Sequence, residues 1–176
     1  LAINEQGEAV VLYRQWDGTA YYNAYVRQYD GTQWATTDDG SPDIIQLDTE
    51  DGDVGAGPSS YNSERWQIAM DDAGNAAAVW TQGDGFDVNL WASQFDGASW
   101  SQAEKLENAP LDAVMPAIDM TAGVAQVIWT QSDGSLNHMY SMTLPRPALL
   151  DTNPEMLGNV RAPGGHTSND VAMSEE

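Results

Sequence analysis

Apolar and polar positions recur along this chain in the same order. Residues 68–85 read IAMDDAGNAAAVWTQGDG, residues 118–134 read IDMTAGVAQVIWTQSDG, and residues 3–18 read INEQGEAVVLYRQWDG. A further copy opens at Val171 (VAMSEE), so Ile3, Ile68, Ile118 and Val171 mark starts spaced 65, 50 and 53 residues apart. Within each copy, short apolar runs are separated by clusters of Asp, Gly and Asn, which tolerate the positive φ of tight turns. In the middle copy the pattern predicts a strand at Trp66–Met70, a turn over Asp71–Asn75 and a second strand at Ala76–Gln82. The near-continuous apolar run of that second strand suits burial on both faces. Val88–Phe95 alternates with period 2 and predicts a third strand, and Asp96-Gly97 a hairpin turn. Trp100–Leu106 is polar and irregular, as an outer edge strand should be.

A period of this length with about four strands per copy predicts an all-β fold of the β-propeller kind. The blades fall at about 1–63, 64–113 and 114–169, with the start of the next at 170–176, in a single domain. Small residues (Ala76–Ala78, Ala125) suit inner strands that crowd one another, and the rings of Tyr13, Trp80 and Trp129, at matching positions, are expected to fill the space between blades. Ile44–Leu47 predicts a short strand, 48–63 a loop rich in Asp, Gly, Pro and Ser, and Ala148-Leu149-Leu150 the outer strand of the third blade. No helix is predicted; the nearest candidate, Gln102–Asn108, is too short to stand alone. The chain starts and stops inside a copy and has no initiating Met, which suggests blades of a longer protein or one of several chains that complete a ring.

Charge narrows the partners. With 27 acidic and 6 basic residues among 176, the net charge is −21. Nucleic acid and anionic membrane surfaces both need clustered Lys and Arg, so neither is an expected partner. The acidic residues are spread through turns, as a solvated surface, a set of calcium-binding turns or a face for a basic partner would have them. The chain has no cysteine, which excludes disulfides, thiolate zinc sites and thiol catalysis. No apolar run reaches membrane-spanning length.

Candidate chemistry is sparse. Asp48, Glu50, Asp51 and Asp53 lie close together beside Gly52, and hard cations need several oxygen ligands at short range, so calcium is the one cofactor the pattern suggests. The stretch does not follow the EF-hand spacing. Asp17, Asp84 and Asp133 precede Gly at equivalent places, where a carboxylate can hold a hairpin by accepting turn N–H groups. Trp16 sits beside a turn where the other copies have Gly83 and Ser132, which makes it a candidate sugar-stacking platform. Arg14 and Arg27 replace Thr81 and Ser93 of the middle copy and are candidate ligand contacts. His138 and His166 have no metal-ligand spacing, and no nucleophile-elbow or phosphate-loop motif is present.

The block from Ala76 to Trp100 and its partial copy at 127–134 resemble repeats of bacterial secreted or lipoprotein-type β-propellers in the sialidase-like superfamily. The resemblance covers about residues 1–143 and implies the propeller fold and an extracytoplasmic location. Sialidases carry S/T-x-D-x-G-x-T-W turns and an arginine triad; here Asp96 directly precedes Gly97 with Trp100 three further on, and no arginine sits in a recognisable motif. The resulting expectation is a non-catalytic binding or scaffolding module at the cell surface, engaging a glycan or a protein. The alternatives are a propeller glycoside hydrolase or lyase, and a structural subunit of a multi-chain assembly.

Overall fold

The computed structural model describes residues 1–55, 65–145 and 155–160. Among them it contains no helix and twelve strands. The first sheet comprises β1 (Ala2–Ile3), β2 (Ala9–Trp16), β3 (Tyr22–Tyr29) and β4 (Ile45–Gln46). The second comprises β5 (Trp66–Met70), β6 (Ala76–Gly83), β7 (Val88–Phe95) and β8 (Glu104–Lys105). The third comprises β9 (Ala113–Thr121), β10 (Val124–Ser132), β11 (Asn137–Leu144) and β12 (Glu155–Val160). Each sheet is an antiparallel meander in chain order. The proposed outer strand at Ala148-Leu149-Leu150, His166 and the copy beginning at Val171 lie outside the described residues.

The outer strands are shorter than the pattern predicts. Of Trp100–Leu106, Trp100 forms a single bridge with Phe95 and Glu104–Lys105 pairs with β7 as a short strand, while Ser101 between them turns its side chain back on β7. Its Oγ accepts the Gln94 N–H at 3.0 Å and its carbonyl accepts the Ser93 hydroxyl at 2.8 Å. A ladder whose groups go to a side chain cannot continue as regular strand.

The three sheets pack face to face in chain order, and the second lies between the others. Ala76, Ala78 and Trp80 join Val10, Leu12, Ala24 and Val26 of the first sheet in one core. Ala77 and Val79, on the opposite face of β6, join Ala125, Val127 and Trp129 of the third in another. The period-2 alternation of a strand thus delivers alternate residues to two different cores, and β6 is buried along nearly its whole length. In β10 the N-terminal half alternates between exposed and buried, since there only one face is covered.

Trp80 and Trp129 fill the spaces between sheets and are 0% and 1% exposed. Tyr13, at the matching position, does not. It is only partly buried, stacks on Tyr25 at 5.9 Å and lies on the outward face of the first sheet, which no described sheet covers.

A buried indole needs a hydrogen-bond partner, and the repeat supplies one two residues later. Trp80 Nε1 donates to Gln82 Oε1 at 3.0 Å, and Trp129 Nε1 to Gln131 Oε1 at 3.3 Å. Each glutamine then reaches into the segment that leaves the preceding sheet. Gln82 Nε2 donates to the Glu50 and Gly52 carbonyls at 2.6 and 3.2 Å. Gln131 Nε2 donates to Glu107 Oε2 at 3.0 Å and to the Ala109 and Leu111 carbonyls at 3.3 and 3.1 Å. Trp-x-Gln is therefore a joint between consecutive sheets. The approach is close enough that a Cβ at Gly52 would collide with the Gly83 carbonyl, and Gly52 also holds φ at 135°.

The Asp-Gly turns are built alike. Asp84 Oδ1 accepts the Phe86 and Asp87 N–H groups, both at 2.9 Å. Asp133 Oδ1 accepts those of Ser135 and Leu136, both at 2.8 Å, and Asp17 Oδ1 those of Thr19 and Ala20 at 2.7 and 2.9 Å. These bonds favour the ionised carboxylate, and they hold the Asp84 carboxyl down to about 2, with the Asp87 and Phe86 N–H groups as the main causes.

Candidate functional site

The end of the first sheet's central hairpin gathers several of the residues that the sequence singles out. Trp16 ends β2 and Tyr22 opens β3, directly opposite in register. Their rings meet at 5.3 Å, tilted by 59°, and remain 44% and 39% exposed. Arg14, two residues before Trp16 on the same face, lays its guanidinium over the Tyr22 ring at 4.6 Å and over Trp66 of the second sheet at 5.5 Å. Its Nη1 donates to the Val54 carbonyl at 3.2 Å. Asp53 closes the group: its Oδ1 accepts the Tyr22 N–H at 2.9 Å. Among the described copies the aromatic pair belongs to the first alone, since the equivalent pairs are Gly83 and Val88 in the second and Ser132 and Asn137 in the third.

Arg27 is not part of this group. Its register partner is Val11, which places it on the opposite, outward face of the sheet. There its guanidinium lies over Trp34 at 5.2 Å, Nη2 donates to the Ala35 carbonyl at 3.4 Å, and the buried Nε has no hydrogen-bond partner.

The four acidic residues of the 48–53 segment take separate roles. Asp48 turns inward to 3% exposure, where Oδ1 accepts the Ala24 N–H at 2.8 Å and Oδ2 has no partner. Burial pushes its carboxyl up, against the opposing effect of the Ala24 bond. Glu50 and Asp51 are exposed, and the Glu50 carbonyl serves the Gln82 joint. Asp53 is engaged with Tyr22. Among the described residues no three acidic or histidine side chains are gathered to hold a metal.

A second buried acid sits in the corresponding place after the second sheet. Leu47-Asp48 follows β4 as Leu106-Glu107 follows β8, and the Leu47 and Leu106 N–H groups donate to the Ala24 and Leu90 carbonyls of their sheets at 2.9 and 2.8 Å. Glu107 is 0% exposed; Oε2 accepts from Gln131 while Oε1 has no partner. Burial raises its pKa, opposed by the Gln131 bond and the positive charge of Lys105. In a chain with 27 acidic residues nothing in the sequence marks these two as buried. The glutamine joint had a signal, its fixed place two residues after each tryptophan. His138 is buried, with Nε2 at 2.8 Å from Asp133 Oδ2.

The geometry of Trp16, Tyr22, Arg14 and Asp53 can bind but offers no paired acid and base across a cleft. An exposed aromatic pair accepts the apolar face of a ring-shaped ligand, and the neighbouring guanidinium and carboxylate can meet its polar edge. No protein-family model matches the chain, and comparison with curated proteins finds no match.

Proposed function

We propose that this chain is a run of three consecutive β-propeller blades, of the sialidase-like kind, that works outside the cytoplasm as a non-catalytic binding module for glycans. The meander order of each sheet and the face-to-face stacking in chain order support the propeller reading. The observation that carries the binding reading is the Trp16–Tyr22 pair. The second and third copies build the same hairpin without it, so the scaffold does not need two large exposed rings there. A pyranose would stack on Trp16 with its hydroxyls toward Arg14 and Asp53.

Isothermal titration against a panel of neutral and acidic oligosaccharides tests this. Trp16→Ala should lower affinity about tenfold for the glycan that binds, in line with the upper end of the ~0.5–1.5 kcal/mol of an aromatic contact. The melting temperature should not move. Affinity unchanged by Trp16→Ala, or release of cleaved sugar from the panel, would contradict the reading.

A further inference from the structure

The outward face of the first sheet is equivalent, residue for residue, to faces that are covered elsewhere in the molecule. Tyr13 and Gln15 stand where the second sheet has Trp80 and Gln82 and the third has Trp129 and Gln131. In both of those, the preceding sheet lies over the ring and its outgoing segment takes the glutamine. Over Tyr13 and Gln15 no described sheet lies, and Gln15 is exposed.

Charge says what would cover it. The chain carries −21, yet no strand position on this face is acidic: register places Ile3, Val11, Tyr13, Tyr25, Arg27 and Gln46 there. Arg27 brings a cation, with a buried Nε that has no partner. The other face that no described sheet covers, on the third sheet, has the opposite character. Asp119 is exposed on it, in register with Gln126, and its centre is Ile128. It also presents Gln126, which is exposed, where the second sheet's covered face has Ala77. Apolar centres with polar surrounds mark reversible interfaces rather than permanent cores.

We infer that the outward face of the first sheet docks the outward face of the third sheet of a second copy of this chain, head to tail. Arg27 then meets the acidic face carrying Asp119, Tyr13 and Tyr25 lie under Ile128, and Gln15 Nε2 takes backbone carbonyls of the incoming copy. Pairing like faces would set cation against cation or acid against acid. A heterologous contact of this kind repeats, closing into a ring or growing as an open chain. The inference rests on the sheet packing described above and is independent of glycan binding.

Sedimentation equilibrium over a broad concentration series tests it. The mass should rise with concentration in multiples of 19.1 kDa. Arg27→Glu and Asp119→Lys should each weaken association about tenfold, and the double variant should recover to within about threefold, as a swapped charge pair does. Gln15→Ala, at an exposed position with no role in the monomer, should also weaken it, which keeps the test valid if Arg27→Glu disturbs folding. A mass of one chain throughout would overturn the proposal. So would association that responds to Arg27→Glu but not to Asp119→Lys, since the first sheet's face would then be meeting something other than the third.

Discussion

Tyr13–Gln15 and Trp129–Gln131 are copies of one motif in two settings. Around Trp129 the motif is a joint: the indole is buried, its N–H is taken by Gln131, and Gln131 fastens the segment leaving the second sheet. Around Tyr13 the ring is half-exposed, leans on Tyr25 and has no described sheet above it. The side chain differs in the direction the setting requires, because a phenol meets water more readily than an indole. What a repeat residue does is therefore decided less by its own copy than by the copy before it.

The largest break in that comparison should come from the rings. Trp129→Ala and Trp80→Ala each empty a fully buried site and should cost about 3–5 kcal/mol in denaturant unfolding. Tyr13→Ala should cost well under half as much, since its site is already open to solvent. Equal losses at all three would mean that the outward face is packed in solution.

Next come the buried acids. Glu107 and Asp48 each bury an oxygen with no partner, and such a group costs about 1–3 kcal/mol. Both have folded pKa values raised above the unfolded ones by burial. A raised carboxyl pKa contributes stability fully at pH below the unfolded value, and that contribution is lost as pH rises through the folded value. Glu107→Gln keeps an acceptor for Gln131 and carries no charge. It should raise stability at neutral pH, by roughly 1 kcal/mol, with the advantage fading in acid. A gain that persisted at low pH would assign it to packing instead of ionisation.

The turn aspartates supply the opposite slope. Asp84 is held down to about 2, chiefly by the Asp87 and Phe86 N–H groups. A depressed carboxyl pKa stabilises above the unfolded value, and the benefit is lost as pH falls through the folded one. Asp84→Ala should flatten the acid limb of the stability curve between about pH 4 and 2. The effect should be smaller than that of either buried acid, because the carboxylate is at the surface. A parallel curve would show that the turn does not depend on the charge.

Much of this fold was legible in the sequence. The strands Trp66–Met70 and Val88–Phe95 and the double burial of the β6 run follow from alternation and turn chemistry. The indoles were placed between sheets by their position in the repeat. Other features depended on contacts that cross from one copy to the next. Gln82 and Gln131 look polar and solvent-facing until the preceding sheet's carbonyls are brought over them. Arg14 and Arg27 look alike as replacements of neutral residues, and only the hairpin register, with Arg14 opposite Ala24 and Arg27 opposite Val11, sends them to different faces. The 48–53 acids look like one cluster because sequence proximity says nothing about Asp48 turning inward while Glu50 and Asp51 stay exposed.

The most direct test of the joint compares the glutamines of its three copies. Urea unfolding of Gln15→Ala, Gln82→Ala and Gln131→Ala would be measured in parallel, in protein dilute enough to be a single chain. Gln82→Ala and Gln131→Ala should each lose about 1–3 kcal/mol, for a buried indole N–H and the linking carbonyls left without partners. Gln15→Ala should stay within about 0.5 kcal/mol of the parent, as exposed substitutions do. Three equal losses, or no loss at Gln82 and Gln131, would contradict the claim that this glutamine fastens each sheet to the one before it.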